Sequence, residues 1–490
     1  MTSMIVNFID NEWSDFGVSD TRPIFNPATG ARLADSVLTS RLGVGRAVTA
    51  GVAAYRDWRE TPVMDRVQPL FRLKMLLEEH IDELARVVTE ECGKTRKESL
   101  GEVRRGIENV EAACGMPSLM QGYGSEDIAR GIDEHMVRQP LGVVAAITPF
   151  NFPAMIPLWF LPYAVATGNS FILKPSERVP MTTAKIFELI EAAKFPKGVA
   201  QLVNGADATV TALLDHPDVR AVSFVGSSRV ARHVYERASA NGKRAQCQGG
   251  AKNPVIIMPD ADMETVPTIL ADSAFGCAGQ RCLAASEAIT VGGARKEFTD
   301  RIVELASRRV VGYGMDEQTE MGPVITPESR QRIERIVAEG GEQEIKVLLD
   351  GRGKTVPGFE DGNWVFPTIL DGVDSSTDIA RTEIFGPVLS LMHSESLEEA
   401  IELVNKRAYG NMACIFTSSG QAARTFKYRV HAGNVGINIG VAAPVASFPF
   451  SGWKESFFGD LHAQGRHAVE FYTQTKVVIE RWPNEWARRF

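Results

Sequence analysis

"VRAVSFVGSSRVARHVYERA", residues 219–238, decides the fold. A β-rich run stops at Gly226-Ser227-Ser228 and a helical pattern follows at once. The same step occurs in "LGVVAAITPF" (141–150), a short apolar run ending in Thr-Pro, as a buried parallel strand would. It occurs again in "SFILKPSE" (170–177), where an apolar strand runs into a polar turn carrying Lys174 and Glu177. Strands alternating with helices predict a doubly wound parallel sheet, with ligands at the carboxyl ends of the strands.

A second α/β series follows residue 282: "AITVGG" (288–293), "RKEFTDRIVELASRRV" (295–310) and "SLMHSESLEEAIELVNKRAYGNMACIFTS" (390–418). Upstream, "LFRLKMLLEEHIDELARVVTEECG" (70–93) has helical spacing, with Leu70, Met75, Leu76, Ile81, Leu84 and Val87 as an apolar stripe. The tail, "HAVEFYTQTKVVIERW" (467–482), alternates β-formers with polar residues and predicts a late strand that pairs with another domain or subunit.

At 490 residues the chain exceeds one ordinary core, so two or three domains are expected. With 44% hydrophobic and 23% charged residues it reads as a soluble globular protein. A net charge of −8 argues against a nucleic-acid partner. Polar and acidic residues come too early in "MTSMIVNFIDNEW" for a secretory or transit signal. One stretch, "ITPFNFPAMIPLWFLPYAVATGNSFIL" (147–173), is long enough to span a membrane, but Pro149, Pro153, Pro157 and Pro162 interrupt it. It is expected to be a buried loop-and-helix passage, and no membrane association is expected. Six scattered cysteines without metal-type pairing fit reduced thiols, and a cytoplasmic location is expected.

"FGCAGQRCLAAS" (275–286) is helical-looking and sets Cys282 directly after Arg281 among glycines and alanines. A reactive thiol wants such open backbone and an electropositive neighbour. The turn at Gly226-Ser227-Ser228 lacks the G-x-G-x-x-G pattern, so the usual dinucleotide fingerprint is absent. Lys174 and Glu177, in the matching turn, suit ribose hydroxyls. A carboxylate there disfavours a 2′-phosphate, which favours NAD over NADP.

Taken together, "PFNFPAMIPLWFLPYAVATGNSFILKPSERVP", "SFVGS", "GAKNPVIIMPDAD", "GQRC", "EIFGPVL" and "FPFSGWKES" resemble the aldehyde dehydrogenase superfamily, in order and over nearly the whole chain. The resemblance implies a Rossmann-type doubly wound cofactor domain (1–118 and 141–249) and an α/β catalytic domain (250–466). It also implies a small β oligomerisation element (119–140 and 467–490), joining a homodimer or homotetramer. By the same resemblance Cys282 is the nucleophile, and Asn151 supplies the side-chain donor of its oxyanion hole. Lys174 and Glu177 match the ribose pair, with Arg178 next to them and Ser227 near the pyrophosphate. Glu383 matches the carboxylate on the nicotinamide ribose, with Phe385 and Phe150 beside the cofactor.

One position departs from the hydrolytic pattern E-L-G-G-K: here Gln248 stands where the water-activating glutamate would be. An amide cannot accept a proton at neutral pH, and losing a general base costs about 10²–10⁴-fold in its step. A thiol acceptor needs no such base. The chain therefore resembles the CoA-acylating branch, whose type is methylmalonate-semialdehyde dehydrogenase, sharing "KPSERVP", "GCAGQRC", "FFGD" and "FYTQTK". That type holds a substrate carboxylate with two arginines, matched here by Arg281 and Arg105. NAD as cofactor, coenzyme A as co-substrate and a short carboxylated semialdehyde as substrate follow as expectations. The segment "NIGVAAPVASFPFSGWKES" (438–456) is closer to a generic member and leaves the semialdehyde open. A hydrolytic dehydrogenase and a non-catalytic scaffold relative remain as alternatives.

Overall fold

A computed structural model describes residues 3–341 and 345–482. Its largest sheet has eight strands, in the order Phe457–Gly459, Arg244–Gln248, Val219–Val225, Val143–Ile147, Ser170–Lys174, Ala200–Leu202, Asn7–Ile9 and Glu12–Ser14. The five strands from Arg244–Gln248 to Ala200–Leu202 are parallel, while both edges are antiparallel. From Val143–Ile147 the chain steps outward to one side through Ser170–Lys174, then returns to the other side with Val219–Val225. The strand order therefore reverses between Val143–Ile147 and Val219–Val225, and a crevice opens beyond their carboxyl ends. Phe150 and Asn151 follow the first of these strands and Ser227 follows the second.

The second sheet has seven strands: Lys346–Leu349, Thr368–Asp371, Val388–Ser394, Ala285–Val291, Asn253–Ile257, Met412–Phe416 and Asn434–Ile437. All pairings are parallel except that of the edge strand Lys346–Leu349. Strands buried on both faces read as unbroken apolar runs, which is why Val255–Ile257 and Met412–Phe416 carry no polar alternation. Phe457–Gly459, although late in the chain, closes the edge of the first sheet beside Arg244–Gln248.

A third, three-stranded sheet pairs the hairpin Tyr123–Ala129 and Ile132–Pro140 with Thr473–Arg481, in register from Thr473 opposite Pro140 to Arg481 opposite Ile132. The tail thus departs from the expected single strand: Gly465–Tyr472 is helical and only Thr473 onward is extended. Ala468, Val469, Phe471 and Tyr472 are buried on that short helix, at a spacing that satisfies a helical face as well as it does a strand.

Residues 70–93 form two helices, Gln68–Glu79 and Ile81–Cys92. Leu70, Leu73, Leu77, Leu84 and Val88 are fully buried, whereas Met75 is 69% exposed and lies off the stripe. The proline-rich passage folds as a loop followed by the helix Met155–Ala166, buried throughout apart from Met155. At twelve residues it is too short to cross a bilayer, and among the described residues no helix is long and apolar enough to do so.

Candidate active site

The segment around Cys282 is not the helix its composition suggests. The helix Val266–Phe275 ends, and a tight turn follows over Gly276–Gly279 in which Cys277 and Ala278 have φ of 52° and 51°. Two successive non-glycine residues in the left-handed region are costly, so tertiary contacts must impose them. One contact is the Cys277 N–H, which donates to Glu98 Oε1 at 2.5 Å. Another is Gly279, at φ 67°, where any Cβ would collide with the Gly386 carbonyl. Beyond the turn, the Cys282 carbonyl accepts from the side-chain amides of Asn253 and Asn411, each at 2.8 Å. The sulfur is thereby presented by a fixed backbone that joins the strand Ala285–Val291.

Asn151 is buried and donates through Nδ2 to the Gln280 carbonyl at 3.0 Å. One amide hydrogen is used in this way, and among the described residues the second has no partner. The loop carrying Asn151 is tied down by Glu102, whose carboxylate accepts from the N–H groups of Ala154 (2.8 Å) and Met155 (3.2 Å). Glu102 pairs with Lys94 at 2.5 Å, both fully buried, and the Lys94 ammonium lies 3.6 Å from the Phe152 ring centroid. A buried carboxylate is tolerated only when it is paired and hydrogen-bonded in this manner.

Cys282 shares a cavity of about 310 Å³ with Arg105, Arg281, Phe152, Trp159 and Phe450. The two arginines differ in state. Arg105 is paired with Glu108 at 2.8 Å and also donates to the carbonyls of Ala443 and Pro444. Arg281 donates to the carbonyls of Asp272 (2.8 Å) and Ser273 (2.9 Å), and its Nε is buried without a partner among the described residues. Among the described residues no carboxylate lies at hydrogen-bond distance from it. Burial pushes the Cys282 thiol up to about 12; Glu383 adds to the rise and Arg281 opposes it. Burial thus favours the neutral form of the Cys282 thiol.

At the carboxyl end of Ser170–Lys174, Lys174 Nζ lies 3.4 Å from Glu177 Oε2, and Arg22 approaches the other oxygen at 3.7 Å. Burial works to raise the Glu177 carboxyl, but Lys174, a backbone N–H and Arg22 outweigh it and hold it below the usual range. The Arg178 backbone N–H donates to Ser176 Oγ. Ser227 stands exposed at the N-terminus of the helix Ser228–Ala240, where backbone N–H groups suit a phosphate. Phe150 meets Phe385 edge-on, with ring centroids 5.9 Å apart, and Phe385 sits at φ 52°. Glu383 Oε1 accepts from the Ala251 N–H at 2.8 Å, and burial pushes its carboxyl up to about 7. A Lys–Glu pair at a strand end, a helix N-terminus and a second carboxylate are groups of the kind that can hold a dinucleotide.

Gln248 ends the strand Arg244–Gln248 and is buried. With the amide turned so that its oxygen and nitrogen face a donor and an acceptor, its nitrogen donates to the Phe224 carbonyl at 3.0 Å and its oxygen accepts from the Ala463 N–H at 3.2 Å. Glu98, Glu102, Lys94, Asn253 and Asn411 escaped the sequence reading. Glu98, Glu102 and Arg105 do share one helical face of Arg96–Cys114, a spacing that could have revealed the first two.

The sequence profile of the aldehyde dehydrogenase family matches residues 14–478. The chain belongs to the aldehyde dehydrogenase family. It is 47% identical to malonate-semialdehyde dehydrogenase 2 of Geobacillus kaustophilus over 97% of this chain and 98% of that one. It is 45% identical to malonate-semialdehyde dehydrogenase of Halalkalibacterium halodurans, with the same coverage. Among solved structures, methylmalonate-semialdehyde dehydrogenase from Oceanimonas doudoroffii matches with TM-score 0.97 and 43% identity over all of both chains. A putative methylmalonate-semialdehyde dehydrogenase from Sinorhizobium meliloti, complexed with NAD, matches with TM-score 0.97 and 42% identity over 99% of each. This aldehyde dehydrogenase therefore has the α/β architecture expected from its strand–helix alternation.

Proposed function

We propose that this aldehyde dehydrogenase is an NAD-dependent, CoA-acylating enzyme for malonate or methylmalonate semialdehyde, releasing CO₂ and acetyl-CoA or propionyl-CoA. The observation that carries the reading is the cavity that Cys282 shares with Cys277, with two guanidinium groups, Arg105 and Arg281, and with the carboxylates of Glu98, Glu102 and Glu108. A fork of donors beside the nucleophile suits an aldehyde that bears a carboxylate. The relatives' names point to the same substrate class.

The Cys282 thiol gives up its proton to solvent as Sγ attacks the aldehyde carbon, and the oxyanion is met by an Asn151 amide hydrogen and the Cys282 N–H. NAD, when bound, supplies the hydride acceptor. Lys174, Glu177, Arg178, Ser227, Glu383, Phe150 and Phe385 would form its cradle, and the Glu177 carboxylate would favour it over a 2′-phosphorylated dinucleotide. Oxidation leaves an acyl thioester on Cys282. Arg281 and Arg105 hold the substrate carboxylate until it departs as CO₂. Release then falls to the CoA thiol, because the residue where hydrolytic relatives hold a general base is a neutral amide bound to Phe224 and Ala463.

The division into 1–118 with 141–249, 250–466, and 119–140 with 467–490 is part of this proposal, as is a cytoplasmic homodimer or homotetramer. Tyr123, Val477 and Ile479, exposed at 76%, 60% and 65% on the three-stranded sheet, support assembly there. Residues 483–490 lie outside the described residues. The test is NADH formation from a panel of short semialdehydes, with and without CoA, together with identification of the acyl product. CoA-dependent turnover to an acyl-CoA is expected, and rapid CoA-independent release of free acid would refute the acyl-acceptor assignment.

A further inference from the structure

The helix Arg96–Cys114 reaches both halves of the catalytic cavity from one stripe of its surface. Glu98, Glu102, Arg105 and Asn109 follow one another along it at helical spacing. Glu98, in the first turn, accepts from the Thr95 N–H through Oε2 at 2.9 Å and from the Cys277 N–H through Oε1 at 2.5 Å. Glu102, one turn on, accepts from the N–H groups of Ala154 and Met155 through Oε1, while Oε2 takes the Lys94 ammonium. One carboxylate thus grips the turn that leads to Cys282, and the next grips the loop that carries Asn151.

The second grip replaces a cap that the local sequence lacks. Ala154 stands at the N-cap of the helix Met155–Ala166 and offers no side-chain acceptor. A bare helix N-terminus leaves N–H donors unpaired, and a carboxylate placed there satisfies them and meets the helix dipole. Glu102 is that carboxylate, brought from 52 positions away. The two helices are pressed together alongside it. A Cβ on Gly106 would lie 2.8 Å from Leu158 Cδ1, and Tyr163 Oη donates to Asn109 Oδ1 at 3.3 Å. Asn151 therefore lies between two fixed points, the end of the strand Val143–Ile147 and the capped start of Met155–Ala166.

We propose that Glu102 is a positioning residue for the oxidation step: by capping Met155–Ala166 from the helix that also holds the Cys277 turn, it sets the Asn151 amide in register with Cys282. The hydrogen bond from Asn151 to the Gln280 carbonyl, at 3.0 Å, is the last link, joining loop to turn. This rests on the reading of Asn151 as the oxyanion donor. A donor displaced by about an ångström still lies beside the substrate but no longer meets the oxyanion, so oxidation slows while cofactor binding is untouched. Lys94 has the separate task of neutralising the buried Glu102 carboxylate.

Removing both charges together, on the full chain, lets the acceptor alone be varied. Lys94→Met/Glu102→Gln keeps an oxygen for the Ala154 N–H, Lys94→Met/Glu102→Leu keeps none, and neither strands a buried ion. NADH formed in a single turnover, from an aldehyde that the native chain oxidises, should appear about 10–100-fold more slowly with Glu102→Leu than with Glu102→Gln. NAD affinity by calorimetry, and the rate at which iodoacetamide alkylates Cys282, should be alike in the two proteins. Asn151→Ala should be about 10²-fold slower than native or worse. Added to Lys94→Met/Glu102→Leu, it should cost little more, because Glu102 acts through Asn151. Equal rates with Glu102→Gln and Glu102→Leu, or a full further loss on adding Asn151→Ala, overturn the role of Glu102 while Asn151→Ala alone stays slow. So does a Glu102→Leu protein that loses NAD affinity and alkylation along with its rate, since that marks general damage to the site. A native rate in Asn151→Ala would instead remove the oxyanion role of Asn151, and this inference with it.

Discussion

The turn after Ser170–Lys174 and the turn before Cys282 present their functional groups by opposite means. In the first, a regular strand ends and Lys174 meets Glu177 three residues on. Nothing distant is needed, since the strand's direction and one turn bring the ammonium and the carboxylate together. In the second, no regular element survives. The Cys277 N–H is held by Glu98, 179 positions away, Asn151 reaches Gln280 across 129, and Asn411 reaches Cys282 across another 129. A site assembled from local geometry tolerates the loss of one member, because the remainder keeps its shape. A site imposed on a strained backbone by remote partners concentrates its function in a few atoms.

Substitutions sharpen that contrast. The largest effect is expected at the nucleophile: Cys282→Ala should lower NADH formation by about 10⁴-fold or more, since no neighbouring group can form the thioester. Substantial residual turnover, read spectrophotometrically, would break the comparison at its strongest point. Next come the two arginines of the cavity. Arg281, which has no carboxylate partner among the described residues, should matter more than Arg105, which Glu108 already engages. For a carboxylated semialdehyde, Arg281→Met should lower kcat/KM by about 100-fold, near 3 kcal/mol, as expected for a charge-assisted pair. Arg105→Met should cost about tenfold. An uncharged short aldehyde should be nearly indifferent to both changes. Equal losses on both substrates would mean that the guanidiniums act on the loop and not on the substrate.

The same contrast explains what could be read from the sequence. The strand-and-turn units at 143–150, 170–177 and 219–238 announce themselves through apolar runs ending in polar turns, and they carry Asn151, Lys174, Glu177 and Ser227 to one crevice. Cys282 and Gln248 were visible as residue types within motifs. The shape of 276–282 was not, because cysteine and alanine disfavour the left-handed conformation that Cys277 and Ala278 adopt there, where the Cys277 N–H is held by Glu98. The helix at Gly465–Tyr472 reads as strand in the sequence because eight residues hold barely two helical turns, too few to separate one period from the other. Asn253 and Asn411 became meaningful only once both were seen to hold the Cys282 carbonyl.

The smallest expected effect lies at the local turn. Lys174 is almost fully enclosed, while Glu177 stays half-buried and within 3.7 Å of Arg22. In Lys174→Met, Glu177 would lose its nearer cation yet retain Arg22, so no buried carboxylate is left alone. The loss is then one hydrogen bond to a ribose hydroxyl, about 0.5–1.5 kcal/mol, and NAD should bind about 3–10-fold more weakly by calorimetry. Because the carboxylate that repels a 2′-phosphate remains, the preference for NAD over NADP should persist. Glu177→Gln should reverse the pattern, with a comparable loss for NAD and a narrower gap to NADP. If Lys174→Met instead abolished binding, the turn would be as intolerant as the nucleophile loop, and local assembly would not be what separates the two regions.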